Sequence, residues 1–315
     1  MWVKSMTEIT IVTAFFDIGR EKWQGFQRSS NKYVEYFEFW ARLKNKLVVY
    51  TDKATAEQVL KIRDDFNLKE RTKIIVIDDV YALDEEVYHQ IESVLSNKIA
   101  VDFRMRPNSP ESCNARYNYT TYLKPYFVAD AVKNGYASGM TAWVDFGYNH
   151  GGEVLTNSSE FDFLWCYDFS PKIHLFTTED IDDMPIFEVV RTMRAYIQGS
   201  IMVAPAELWR EFADLYKESV LDLAHCGFAD DDQTLSLMAY KKRPDLFELH
   251  EVQISFDALK KFGNENLTIR NLVPSYKNYK KTAKKYLKNK QYQKALTWYF
   301  KYAKEKILGG QRYDK

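Results

Sequence analysis

Cysteine, proline and glycine are all scarce in this 315-residue chain, which has 3 Cys, 8 Pro and 12 Gly. Thiols at Cys113, Cys166 and Cys226 are too few and too scattered for a disulfide framework or a four-thiolate zinc site, and are expected to be reduced and mostly packed. So little glycine and proline argues against low-complexity or collagen-like structure. No run approaches the 18 apolar residues of a membrane-spanning helix. The first eleven residues carry Lys4 and Glu8 without an apolar core, so no secretory signal is expected. The expectation is a cytoplasmic protein, at most peripheral on the inner membrane. A G-x-G-x-x-G after the first strand and a G-x-x-x-x-G-K-[ST] anywhere are missing, which removes support for dinucleotide and P-loop readings. H-E-x-x-H and G-x-S-x-G are missing too.

What is present is ample core and many rings. Apolar residues make up 46% of the chain and charged ones 28%, which excludes wholesale disorder. Aromatics reach 16%, enough to line a pocket for a flat or sugar-like ligand as well as to fill a core. Net charge is zero, but its distribution is lopsided. From Ser275 to Lys315, twelve Lys and one Arg against Glu305 and Asp314 leave +11, so residues 1–274 carry −11. That asymmetry sets the expected division into a main domain, 1–274, and a basic tail, 275–315.

Short β-branched runs alternate with helical periodicity. Ile9–Phe16, Lys46–Thr51, Lys73–Asp78 and Thr141–Phe146 read as strands, with Asp162–Trp165, Lys172–Thr177 and Ser200–Ala204 as further candidates. Asn31–Leu43, Ala54–Phe66, Tyr119–Asn134, Glu207–Ala224 and Asp231–Lys242 read as helices. Strands separated by helices imply parallel crossovers and an α/β, Rossmann-like, mostly parallel sheet covered on both faces. Ligands of such sheets bind beyond the carboxyl ends of the strands. Asp17, Gly19 and Arg20 follow the first strand, Asp52 the second, Asp78 and Asp79 the third, and Asp145 to His150 the central one. Acidic groups at several strand ends suit a hard divalent cation on phosphates, although each alone reads equally as a helix cap or a solvated loop.

Four segments carry a resemblance. Val12–Arg20 (VTAFFDIGR), Tyr119–Val132, Trp143–His150 (WVDFGYNH) and Asp230–Leu237 (DDDQTLSL) resemble the HtrL/YibB-like family of bacterial proteins over roughly residues 7 to 255. The same layout is similar to GT-A type nucleotide-sugar glycosyltransferases. That likeness implies a donor site of Thr13, Ala14, Phe15, Arg20, Asp52, Lys124, Trp143, Asp145, Gly147, Tyr148 and Gln233. The implied donor is a nucleotide sugar, UDP-type. In such enzymes the central strand ends in a D-x-D whose carboxylates hold manganese or magnesium; here Gly147 stands at the second position. A cation would then need Asp145 with His150, Asn149, His250 or a more distant Asp, or no metal is held; otherwise Arg20, Lys124 or Arg191 would carry the phosphate charge. Gln198 with Gly199 resembles the segment where small residues admit a sugar to the backbone, and also reads as an ordinary strand start. Asp231 or Asp232 would accept the acceptor's proton, or simply cap a helix. His89 and His174 have no motif around them and read as surface or core. His225 beside Cys226 lacks a second ligand pair.

The tail reads as a helical hairpin, Lys277–Lys288 and Tyr292–Leu308, with apolar residues at helical spacing and a lysine-rich outer face. One such unit cannot bury its own face and must dock, on the main domain or in an oligomer. The lysines suit an anionic membrane surface. Nucleic acid is less favoured, since Arg is nearly absent. The implied function is transfer of an activated sugar to a bacterial surface glycan, lipopolysaccharide or capsule, on a glycan or lipid-linked glycan acceptor. The alternatives are a non-catalytic scaffold of a glycan assembly complex, favoured by Gly147, and a basic-tailed nucleic-acid binder.

Overall fold

The computed structural model describes residues 7–252, 254–270, 279–280, 283–284, 286–287 and 290–309. The chain forms two compact units, Met1–Ile269 and Arg270–Lys315. The first is a mixed α/β fold around seven strands: β1 (Thr10–Phe15), β2 (Leu47–Thr51), β3 (Thr72–Val76), β4 (Met140–Val144), β5 (Ile173–Thr177), β6 (Ile197–Pro205) and β7 (Phe247–Glu251). Their spatial order is β3-β2-β1-β4-β6-β5-β7.

The side-chain period of two sorts each strand between two cores. Val12, Val48, Trp143, Leu175 and Met202 pack on one face with the helices Lys124–Lys133 and Trp209–His225. Their neighbours Ile11, Val49, Val144, Phe176 and Ile201 pack on the other with helix Ser30–Trp40. Burial on both faces explains why the central strands are continuous apolar runs rather than alternating ones.

The sheet is mostly parallel, with one exception that builds the site. β6 runs antiparallel to β4 and β5, whereas alternation of strand and helix implied parallel crossovers. It therefore brings its beginning, Gln198 to Ser200, alongside the end of β4. Asp145 N–H donates to the Ser200 carbonyl at 2.9 Å.

Four local expectations are corrected. Asp162–Trp165 is no strand: the Asn45 amide donates to the Ile9 and Trp165 carbonyls and accepts from Trp165 N–H. One side chain thus satisfies the backbone that a neighbouring strand would otherwise serve. The helix expected over Tyr119–Asn134 is two, Ala115–Tyr122 and Lys124–Lys133, broken where Pro125 has no N–H to continue the ladder. β7 and the helix Glu85–Ser96 were not among the expected elements, although the helix buries Val87, Ile91 and Val94 at helical spacing. Cys113 and Cys226 are exposed rather than packed, and all three thiols are free.

In the second unit the helix Tyr292–Gly309 forms as expected. Half of the first expected tail helix, Lys277–Lys288, lies outside the described residues. Among the described residues, no helix is long and apolar enough to cross a membrane.

Candidate active site

A cavity of about 320 Å³ opens beyond the ends of β1 and β4, and a smaller one of about 130 Å³ adjoins it at the start of β6. Tyr117, Lys124 and Asp145 line both, so the two meet there. Lys124 is the hub. Only 7% exposed, it donates from Nζ to the Gly199 carbonyl and to Asp232 Oδ2, each at 2.9 Å, and stands 2.9 Å from Asp145 Oδ1. Burial disfavours the ammonium, but Asp145 and Asp232 outweigh it and hold Lys124 above its ordinary value. The Trp143 indole donates to the same Asp145 oxygen at 2.7 Å, which fixes the carboxylate's rotamer.

Three successive aspartates at the start of helix Asp232–Lys242 do three different things. Asp230 pairs with buried Arg104 at 2.6 Å and accepts from Thr234, so its work is structural. Asp232, 3% exposed, faces Lys124. Asp231, 9% exposed, caps the helix through Gln233 N–H while also lining the smaller cavity. Burial, with Asp232 and Asp230 beside it, pushes the Asp231 carboxyl well above the usual carboxylate range.

That shift has a checkable sign. A carboxyl whose folded value is raised contributes stability below its unfolded value of about 3.9 and loses it as pH rises through the folded value. Asn caps a helix as well as Asp and carries no charge. Asp231→Asn is therefore expected to match wild type in melting temperature near pH 4 and to exceed it increasingly toward pH 8. A difference that stays flat across calorimetric scans at those pH values would mean Asp231 is ionised at no cost.

The larger cavity is walled by rings. Phe15 stacks against Phe146 and Tyr33 at 5.0 and 4.9 Å between centroids. Arg20 donates to the Tyr33 hydroxyl at 2.6 Å, and its guanidinium lies within 6 Å of the Trp23, Tyr33 and Tyr117 ring centres. The turn that aims Arg20 is set by Gly19, at φ 77, whose N–H donates to Asp17 Oδ1. On the far side, His150 sits in the left-handed region at φ 44, following Asn149 at φ 59. The Asn149 amide imposes this by accepting from Val154 and Leu155 N–H. Strain of this kind costs on the order of 1–3 kcal/mol and persists only where surroundings enforce it.

Of the residues expected to hold a donor, Ala14, Phe15, Arg20, Lys124, Trp143, Asp145, Gly147 and His150 line the larger cavity. Gln198, Asp231, Asp232 and Gln233 line the smaller one. Four lie elsewhere. Thr13 is fully buried within β1, its hydroxyl without a hydrogen-bond partner among the described residues. Asp52 caps helix Lys53–Asp65 through Thr55 N–H at 2.8 Å. Tyr148 is buried, donating to the Phe256 carbonyl. His250 lies on β7 against His174. Arg191, the reserve phosphate ligand, is engaged by Glu188 through two hydrogen bonds. Tyr117, Tyr33, Arg28 and Phe256 line the cavity without having been singled out. Tyr117 stands two residues ahead of a segment that was read, whereas nothing in the spacing of Arg28 or Phe256 points inward.

The residues do not fit a divalent cation at Asp145. Such an ion wants several anionic oxygens, and this one carboxylate is already matched by an ammonium. Position 147 could hardly supply another: a Cβ there would meet the Tyr33 ring at 3.2 Å. His150 is occupied by Glu153 at 2.6 Å and lies 3.4 Å from cationic Arg28.

Comparison with known proteins gives a family and two loose structural likenesses. Residues 7–264 match the family described as "Bacterial protein of unknown function (HtrL_YibB)". Protein HtrL of Escherichia coli (strain K12) is 34% identical over 263 residues, covering 79% of this chain and 88% of that protein. Among solved structures, mouse xyloside xylosyltransferase 1 in its apo form is 14% identical, covers 77% of this chain and 85% of its own, and has a TM-score of 0.41. PaToxG glycosyltransferase is 12% identical, covers 76% and 72%, and has a TM-score of 0.36. Likenesses of this size say nothing about chemistry.

Proposed function

The chain belongs to the HtrL_YibB family, and we propose that it is a glycosyltransferase that takes a sugar from a nucleoside diphosphate donor without a metal ion. The observation that carries this reading is the Lys124 hub: one buried ammonium held by two carboxylates and a carbonyl where two cavities meet. In this reading the larger cavity takes the nucleotide. Phe15 and Tyr33 offer ring faces for a base, with Phe146 stacked behind Phe15. Arg20 and Arg28 offer forks for phosphate. The sugar lies toward Gln198, whose buried side-chain nitrogen has no hydrogen-bond partner among the described residues and is available to a hydroxyl.

In the transfer step the acceptor's hydroxyl oxygen forms a bond to the anomeric carbon as the bond from that carbon to the diphosphate oxygen breaks. The hydroxyl proton passes to a carboxylate. Asp231 suits that role better than Asp232, because burial and the neighbouring aspartates raise its affinity for a proton, whereas Asp232 already faces Lys124. The charge gained by the leaving nucleoside diphosphate falls on Arg20 and Arg28, where preorganised cations are most effective. A bacterial surface glycan, lipopolysaccharide or capsule, is the acceptor class we assign to this site.

Thermal shift tests the donor half. Ligand that binds only the folded state at a hundredfold excess over Kd stabilises it by about 2.7 kcal/mol, or several degrees. UDP or GDP should raise the melting temperature equally with and without Mn²⁺, and Arg20→Ala should abolish the rise. A shift that requires Mn²⁺ would overturn the metal-free mechanism; no shift with UDP, GDP or CMP would favour the scaffold reading.

A further inference from the structure

The parallel pairing of β5 with β7 gathers three ligand-type side chains away from the cavities. His174 lies opposite Glu248, and Phe176 opposite His250. The two imidazoles stack at 5.0 Å, walled by Phe169, Phe176 and Phe262. Nδ1 of His174 is 2.8 Å from Nε2 of His250. The Glu248 oxygens stand 4.0 Å from the first of these nitrogens and 3.8 Å from the second. One ligand atom from each residue falls within 4.8 Å of the other two, and none of the three residues lines the cavities with Asp145.

We propose that His174, Glu248 and His250 bind one divalent transition-metal ion, with zinc the ion this donor set suits best and a fourth position left for water. Two imidazoles and one carboxylate are a common zinc set. The partners behind them are also in place. Nε2 of His174 is 2.9 Å from the Ser170 carbonyl, which can only accept, so the ring's proton sits there and the Nδ1 lone pair faces the centre. The Ser170 hydroxyl donates to Glu248 Oε2 at 2.5 Å, so one serine orients two of the three ligands. Ligand atoms about 2.0–2.1 Å from zinc stand roughly 3.3 Å apart in a tetrahedron. The imidazole nitrogens would open by about half an ångström and the carboxylate close by a similar amount, motions that side-chain rotation supplies. The proton that His250 Nε2 now donates to His174 moves to His250 Nδ1 as the metal enters. An ion here ties β7, which among the described residues is an edge strand paired with β5, to the rest of the sheet.

The full chain, stripped with a chelator and titrated with Co²⁺, should bind one equivalent with visible absorption free of thiolate charge transfer. Zn²⁺ should displace it and raise the melting temperature. His250→Gln and Glu248→Gln should each weaken Co²⁺ binding by at least about tenfold, while His89→Gln, an exposed histidine on another element, leaves it unchanged. Should His250→Gln fail to fold, Glu248→Gln decides, since that side chain is 44% exposed. Binding that His89→Gln weakens equally, a thiolate band, or no stoichiometric binding would overturn the proposal.

Discussion

Gly199→Ala is expected to destabilise the protein by about 3–5 kcal/mol, the cost of breaking a buried ion pair, and to lower its melting temperature by roughly 6–20 °C. The reason is occupancy rather than backbone freedom. A Cβ on residue 199 would lie 1.5 Å from Asp232 Oδ2 and 2.5 Å from its Cγ, where no atom fits. The Asp232 carboxylate fills the space that any side chain at 199 would need, and the Gly199 carbonyl takes one hydrogen bond from the same ammonium. Asp232 must therefore swing away from Lys124, leaving one carboxyl to balance the cation. A double-mutant cycle isolates this cause. In an Asp232→Ala background the obstruction is gone, so adding Gly199→Ala should cost less than about 1 kcal/mol in urea unfolding. Equal costs in both backgrounds would show that the glycine serves something other than the carboxylate.

Much of this site was legible as residue types and little of it as partnerships. Lys124, Asp145, Gln198 and Asp232 each sit in segments whose pattern invites attention. What joins them is the reversed direction of β6, because only an antiparallel strand sets its start beside the end of β4. Strand direction is not written in a run such as IQGSIMVAP, which is apolar on both faces whichever way it lies. The same limit misplaced Thr13, since a period of two says that alternate residues share a face and not which face meets the ligand. His250 was grouped with Asp145 because it is a metal-ligand type, not because any strand was read around it. In space its partner is His174, which has no motif around it and became visible only through the register of β5 on β7. Asp52 was open to both a cap and a site, and the cap prevailed because a helix follows it at once.

Lys124→Met should have the largest effect of any single substitution. It leaves Asp145 and Asp232 facing each other beside Asp231, with no cation among them, and one-sided removal from a buried pair costs about 3–5 kcal/mol. Its signature is the dependence on pH. Without the ammonium these carboxyls hold protons more tightly in the folded state than in the unfolded one, so stability is lost as pH rises. The destabilisation measured by urea unfolding should therefore be larger at pH 8 than at pH 5, and nucleotide-induced stabilisation should vanish at both. Lys124→Arg should not rescue the nucleotide response. A planar guanidinium is longer than an ammonium and cannot place its donors toward three acceptors gathered around one point. The substitution also separates the two accounts of charge at the site. Asp145 and Asp232 stand 2.9 Å from the same nitrogen, so removing it frees two carboxylates for a cation. With the His174, Glu248 and His250 site filled by Zn²⁺ beforehand, Mn²⁺ is then expected to stabilise Lys124→Met and leave the wild-type chain unmoved. Stabilisation of wild type by Mn²⁺, lost in Asp145→Asn, would instead return the metal to the centre of the mechanism and demote the lysine to a structural role.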